Sequence, residues 1–202
     1  MTIRKGQAWG RPGPLPDGGV VVRSDAEARA VLEDARRRQV AYPALGLLGG
    51  DLCRTLGGPG DEGRLHSDDA MRFPVDLGEA LVDGELRLFV AHLVARTRTW
   101  RRCFVAMNAQ WRGRWNLGPR AHPGDGLLDT YDARLTPRDL VLVHRRLHHG
   151  AHLPHPGITE RRAPAVQVDL GRSLALELDG RPAGRAWVLS VRVEPDALTV
   201  VV

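Results

Sequence analysis

The chain has 202 residues, enough for one substantial core or two small ones, and its 43% hydrophobic and 26% charged content excludes a disordered or fibrous protein. Its net charge of +5 comes from scattered arginines with no helix-turn-helix, zinc-finger or aromatic RNA-binding pattern beside them, so nucleic acid is not the expected partner. No apolar run approaches the roughly 18 residues of a membrane span, and the start lacks the apolar core of a signal peptide, so a cytoplasmic protein is expected.

Residues 1–19 hold many Gly and Pro and read as a short strand followed by a turn-rich connection. Val20-Val21-Val22 reads as a short buried strand. Ser24 then starts a helix to about Gln39, with Ala28, Val31, Leu32 and Ala35 on one face and Glu27 completing a capping box. Pro43 to Leu48 is a second buried strand, followed by Gly49-Gly50 and a short helical turn from Asp51 to Leu56. Strand, helix, strand makes a βαβ unit. Residues 57–69 read as a polar loop. From Phe73 onward strand follows strand, over 73–81, 86–95, 100–110, 127–133, 140–147, 165–170, 174–178, 187–193 and 198–202. Asp83-Gly84, Pro137-Arg138 and Asp179-Gly180 serve as turns, and residues 140–149 also carry helical features. The expected fold is α+β: a reduced α/β lobe over residues 1–72, then an antiparallel β-sandwich or barrel over 73–202.

Cys53 and Cys103 lie far apart with no second ligand pair, which suits buried free thiols. His144, His148 and His152 fall at helical spacing, but no acid accompanies them as an HExxH site requires, so a loop role is expected. Residues 108–129 pack Gly, Pro and Asn between two strands and leave Trp111, Arg112, Arg114 and Trp115 without an obvious burial site. Such loops usually carry function, and this cluster suits either an anionic membrane surface or packing under the sheet.

Four ordered segments carry a family likeness. His122-Pro123-Gly124-Asp125-Gly126-Leu127-Leu128-Asp129 resembles the proline, acid, Asp-Gly, apolar, Asp segment of the bacterial diacylglycerol/lipid kinase family, within the NAD kinase-like superfamily. Residues 150–156 resemble its Gly-x-His-x-x-His-Pro segment, Leu178-Asp179-Gly180 its Leu-Asp-Gly-Glu, and residues 193–198 its closing apolar-x-Pro-x-Ala-Leu strand. More faintly, residues 50–57 resemble its Gly-Asn-Asp-Phe/Leu-Ala-Arg-x-Leu-Gly, residues 75–78 its Val-Asp-apolar-Gly, and residues 89–92 its Phe-x-Asn segment.

The resemblance implies roles for particular residues. Asp179 matches the base that takes the lipid hydroxyl proton; the residues alone read equally as a hairpin turn. Asp125 matches an acid that holds a structural magnesium with the backbone carbonyls of His122 and Leu127. Asp25, Asp51 and Arg54 fall where the family meets ATP and its magnesium; Asp51 also reads as a plain first-turn acid.

The departures are as informative. Where the family rests polyphosphate on Gly-Gly-Asp-Gly-Thr, this chain has Arg23-Ser24-Asp25-Ala26-Glu27, without the glycines and with an added carboxylate. The first family strand and its Asn-Pro loop have no counterpart, and Arg181 replaces the second acid after Asp179. The expectation is a lipid-kinase-like protein with a degenerate ATP site, acting as a lipid- or nucleotide-binding module at the inner face of the membrane. A homo-oligomer or a partner chain would then complete the nucleotide site. An active ATP-dependent lipid kinase and a purely structural β-domain are the alternatives.

Overall fold

The computed structural model describes residues 9–202. β1 (Arg11–Pro12) is a short edge piece. β2 (Val20–Val22) and β3 (Leu45–Leu47) flank α1 (Asp25–Arg37), and α2 (Asp51–Thr55) and α3 (Glu62–Leu65) lead into the long β4 (Met71–Val82). β5 (Glu85–Phe89), β6 (His92–Arg96), β7 (Arg102–Met107) and β8 (Leu128–Arg134) follow. After α4 (Pro137–Leu147) come β9 (Ile158–Ala163), β10 (Ala165–Leu178) and β11 (Arg181–Val201).

The strands form one 11-stranded sheet whose main path runs β1-β4-β11-β10-β6-β7-β8-β9. It is mostly antiparallel with few helices, the architecture of a β-sandwich domain. Only β2–β3 and β3–β11 pair in parallel among the described residues, so the βαβ corner is hydrogen-bonded to the end of the last strand. The hairpins close on Asp83-Gly84 and Asp179-Gly180, whose φ values of 48°, 94°, 50° and 74° are the left-handed pairs that match strand twist. No helix of the described residues is long and apolar enough to cross a membrane.

Three sizeable cores fill the folds of the sheet. One gathers Phe89, Leu93, Phe104, Leu128, Leu176 and Leu189; a second joins Leu32 of α1 to Leu45, Leu52, Leu77 and Val200. The third sets Val143 and Leu147 of α4 on Val105, Met107 and Tyr131. Cys53 and Cys103 are free and buried.

Residues 140–147 are a helix and not a strand. Thr136 caps it, its hydroxyl accepting from Asp139 N–H while the Asp139 carboxylate accepts from Thr136 N–H, and Pro137 supplies a pre-set first turn. The supposed turn Pro137-Arg138 is therefore the helix start, and Leu140, Val143 and Leu147 form its inward stripe. β9, polar and largely exposed, carries too weak an alternation to be read as a strand. The expected pairs 165–170 with 174–178 and 187–193 with 198–202 are single strands: the ladder slips at Gly171 and at Asp196, both with positive φ, so these are bulges and not chain reversals. Conversely, 86–95 divides into β5 and β6. Of the expected opening strand, residues 1–8 lie outside the described residues.

Candidate functional site

The ends of β5 and of the β10–β11 hairpin meet the N-termini of α1 and α2, and four titratable side chains converge there. Asp25 opens α1, but its carboxylate reaches across to accept from Asp51 N–H at 2.5 Å and Leu52 N–H at 3.1 Å. It thereby caps α2, whose own N-cap residue is Gly50. Gly50 has φ 99°, and a Cβ there would stand 2.5 Å from Asp25 Oδ1, so only glycine allows the approach. Asp51 Oδ2 lies 3.0 Å from His92 Nε2, and Asp51 Oδ1 accepts from Gly113 N–H at 2.7 Å. Asp179, at the hairpin tip, accepts from three successive backbone N–H groups, those of Val90, Ala91 and His92, at 2.9–3.2 Å. Its side chain has no exposed surface, and Arg29 Nε of α1 stands 3.6 Å away.

Charge and burial set the protonation of this cluster. Burial, reinforced by the charge of Asp179, pushes the Asp25 carboxyl up to about 7, and burial also raises Asp179. Burial alone would lower His92, but its hydrogen bond to Asp51 and the fields of Asp179, Asp51 and Asp25 prevail and raise it. Against its own desolvation, Asp51 is held below the usual carboxylate range by His92 and the Gly113 N–H. The His92 imidazole, made more basic, and the Arg29 guanidinium thus stand, from within the chain, among three carboxyl groups.

The open cleft beside this cluster measures about 390 Å³ and is lined by Asp51, His92, Arg112, Gly113, Arg114 and Trp115, with Gly180 at its edge. Asp25 and Asp179 lie behind that wall. Arg54 of α2 stacks 3.5 Å from the Trp111 ring centroid and donates to Gly113 O at 2.7 Å, so it pins the 111–115 loop to α2. Arg112 pairs with Glu177, and Trp115 packs edge-on to Trp100 at 6.1 Å; Gly113 and Arg114 are the exposed tip of the loop.

At the start of α1, the Ser24 hydroxyl accepts from Glu27 N–H at 3.2 Å, and Glu27 Oε2 accepts from Arg23 N–H at 2.7 Å. The carboxylate reaches one residue further back than a regular capping box.

Asp125 sits elsewhere, in the 122–127 loop between β7 and β8. Its Oδ1 accepts from Leu127 N–H at 3.0 Å, and its Oδ2 takes the guanidinium of Arg162 from β9. Arg162 is also the cross-strand partner of Asp129. Asp76, fully buried, secures the same loop by accepting from Gly126 N–H at 2.7 Å and Asp196 N–H at 2.9 Å. His122 packs against Trp9 with ring centroids 4.4 Å apart and the rings tilted by 53°. Magnesium held by Asp125 and the carbonyls of His122 and Leu127 would have to displace the Arg162 guanidinium that already neutralises the carboxylate, and as arranged these residues do not fit the ion.

The structure therefore brings Asp25, Asp51, Arg54 and Asp179 to one corner and keeps Asp125, His122 and Leu127 apart from it. Sequence reasoning missed His92, Arg29 and Arg162. His92 alone had a signal, its place in the segment that resembles Phe-x-Asn; the arginines look like any others in an arginine-rich chain.

Residues 79–202 match the family model described as the YegS C-terminal NAD kinase beta sandwich-like domain. Among solved structures, a diacylglycerol kinase assignment from Bacillus anthracis str. Sterne superposes with a TM-score of 0.67 at 12% identity, covering 90% of this chain and 77% of that one. Another structure described as a diacylglycerol kinase from the same organism gives 0.61 at 14% identity, with 90% and 75% covered. No curated protein sequence matches the chain.

Proposed function

The chain belongs to the family of the YegS C-terminal NAD kinase beta sandwich-like domain, and from that premise we propose a lipid-kinase-like module that binds lipid but does not transfer phosphate by itself. Residues 9–72 hold, on this reading, the βαβ corner of a nucleotide-type lobe, and its ATP site is degenerate. The observation that carries the proposal is Asp179: a base must reach a substrate hydroxyl, and this carboxylate is enclosed and saturated by three backbone N–H groups. It acts as a clamp that holds the β5–β6 corner under the hairpin.

Two further features support the reading. Glu27 places negative charge over the start of α1, where polyphosphate would need bare donors. In the Asp125 loop, Arg162 stands in for the divalent cation, so the sandwich is held without magnesium. The module then works beside an anionic membrane surface, and a second chain or a further copy supplies nucleotide chemistry.

The convergence of Asp25, Asp51 and Asp179 favours a second reading, a working phosphotransferase whose hairpin lifts Asp179 into the cleft. A thermal-shift titration with magnesium and ATP separates the two. The module gives no shift of the unfolding midpoint at millimolar nucleotide; a saturable shift supports the kinase.

A further inference from the structure

The 122–127 loop and the cleft leave one large feature unused, an apolar cavity of about 410 Å³ between α4 and the β7–β8–β9 face. Such a volume lies within the range of about 300–1,000 Å³ typical of small-molecule sites. Val105, Leu117, Ala133, Leu135, Val143 and Leu147 give it an apolar wall. Within that wall three buried polar atoms have no hydrogen-bond partner: Tyr131 Oη, His152 Nδ1 and Trp115 Nε1. Buried polar atoms in folded proteins are nearly always paired, and three of the eleven unpaired ones among the described residues come from separate segments that line this one cavity. Tyr131 and His152 are each only 4% exposed, with ring centroids 6.4 Å apart.

The protonation of this pair defines what it would take. Burial drives His152 down to about 4 and Tyr131 above the ordinary phenol range, so both are uncharged near neutrality. The remaining partner of His152 is the Leu117 backbone, whose bond raises the ring's basicity as a carbonyl acceptor does. With the ring proton on Nε2, Nδ1, which has no partner in the chain, keeps a bare lone pair. Tyr131 offers an O–H. A hydroxyl satisfies both at once, donating to Nδ1 and accepting from Oη; a carboxylate has no proton for Nδ1. At roughly 30 Å³ for each water-sized group, the cavity holds about fourteen such groups, most of one sixteen-carbon chain and not two chains.

We infer that the cavity under α4 binds a single-chain lipid through an uncharged hydroxyl held between Tyr131 Oη and His152 Nδ1. This rests on the reading of the chain as a lipid-binding module, but not on the state of the cleft.

The test is a titration of the full chain with hexadecanol, followed through the fluorescence of Trp100 and Trp115, which line the cavity. Hexadecanol should bind saturably, and palmitate and a two-chain diacylglycerol at least about tenfold more weakly. Tyr131→Phe should weaken hexadecanol about fivefold, the effect of one hydrogen bond. Should that variant not fold, hexadecyl methyl ether, which has no proton to donate, should bind the native chain several-fold more weakly than the alcohol. Equal binding of alcohol and ether, or no binding of the alcohol, overturns the inference. If diacylglycerol vesicles capture the chain while hexadecanol does not, this inference fails and the module reading stands; capture by neither sinks both.

Discussion

The cleft and the cavity lie on either side of Trp115, and they treat polar groups in opposite ways. Behind the cleft, three carboxylates crowd together, yet each accepts at least two hydrogen bonds from the chain itself. Under α4, Tyr131 Oη, His152 Nδ1 and Trp115 Nε1 are buried with no partner. A charged cluster draws the eye as an active site, but a group whose partners are all internal is holding structure. A buried phenol and a half-paired imidazole that face one apolar cavity are the ones waiting for a ligand.

The largest effect that can break this contrast is expected at Asp179. Replacing it with Ala bares three buried N–H groups and should cost about 3–5 kcal/mol in a denaturant unfolding experiment. Asp179→Asn keeps an acceptor oxygen and tolerates the left-handed backbone, so about 1 kcal/mol is expected. A clamp gives that ordering; a catalytic base would show little stability change in either variant.

The pH dependence of stability sharpens the contrast, because Asp25 and His92 titrate with the opposite sign to His152. Asp25 and His92 bind protons more tightly folded than unfolded. Their contribution is complete at low pH and is lost as pH rises, for Asp25 between 3.8 and about 7 and for His92 from 6.5 upward. His152 binds its proton less tightly when folded. Its contribution is complete above 6.5 and falls away toward pH 4, a loss of about 3 kcal/mol. His152→Gln should flatten the acid limb of a stability–pH curve and His92→Gln the alkaline limb; an acid limb unchanged by His152→Gln would show that the ring is not held neutral.

The smallest expected effect concerns Asp125. Arg162→Met should lower stability by about 1 kcal/mol, since the pair is part-exposed. The midpoint should fall by about 2–4 °C, and magnesium should restore it, whereas the native chain should ignore both magnesium and EDTA. A native midpoint that drops with EDTA would place an ion in that loop.

Much of the fold was legible because its signals are local. Asp83-Gly84 and Asp179-Gly180 announce hairpins, and Ser24 announces α1. The segment 140–147 was misread because its apolar residues fit both periods, and the deciding signal lay outside it, in Thr136, Pro137 and Asp139. The bulges at Gly171 and Asp196 looked like turns, since a breaker residue does not say whether the ladder resumes beyond it. At the site, sequence likeness picked out Asp25, Asp51, Asp179 and Asp125, but not what each carboxylate faces. Arg29, His92 and Arg162 reach them across 150, 41 and 37 residues respectively, and no local pattern encodes such distances. The polar atoms under α4 were invisible for the same reason: a lack of partners is a property of the packed chain.

The most direct test of the account is phosphate transfer from ATP to a lipid hydroxyl by the purified chain with magnesium, measured beside Asp179→Asn. The account predicts no product above the protein-free reaction for either. Steady transfer by the native chain, abolished in Asp179→Asn while its unfolding midpoint stays near the native value, would make Asp179 a base and contradict it.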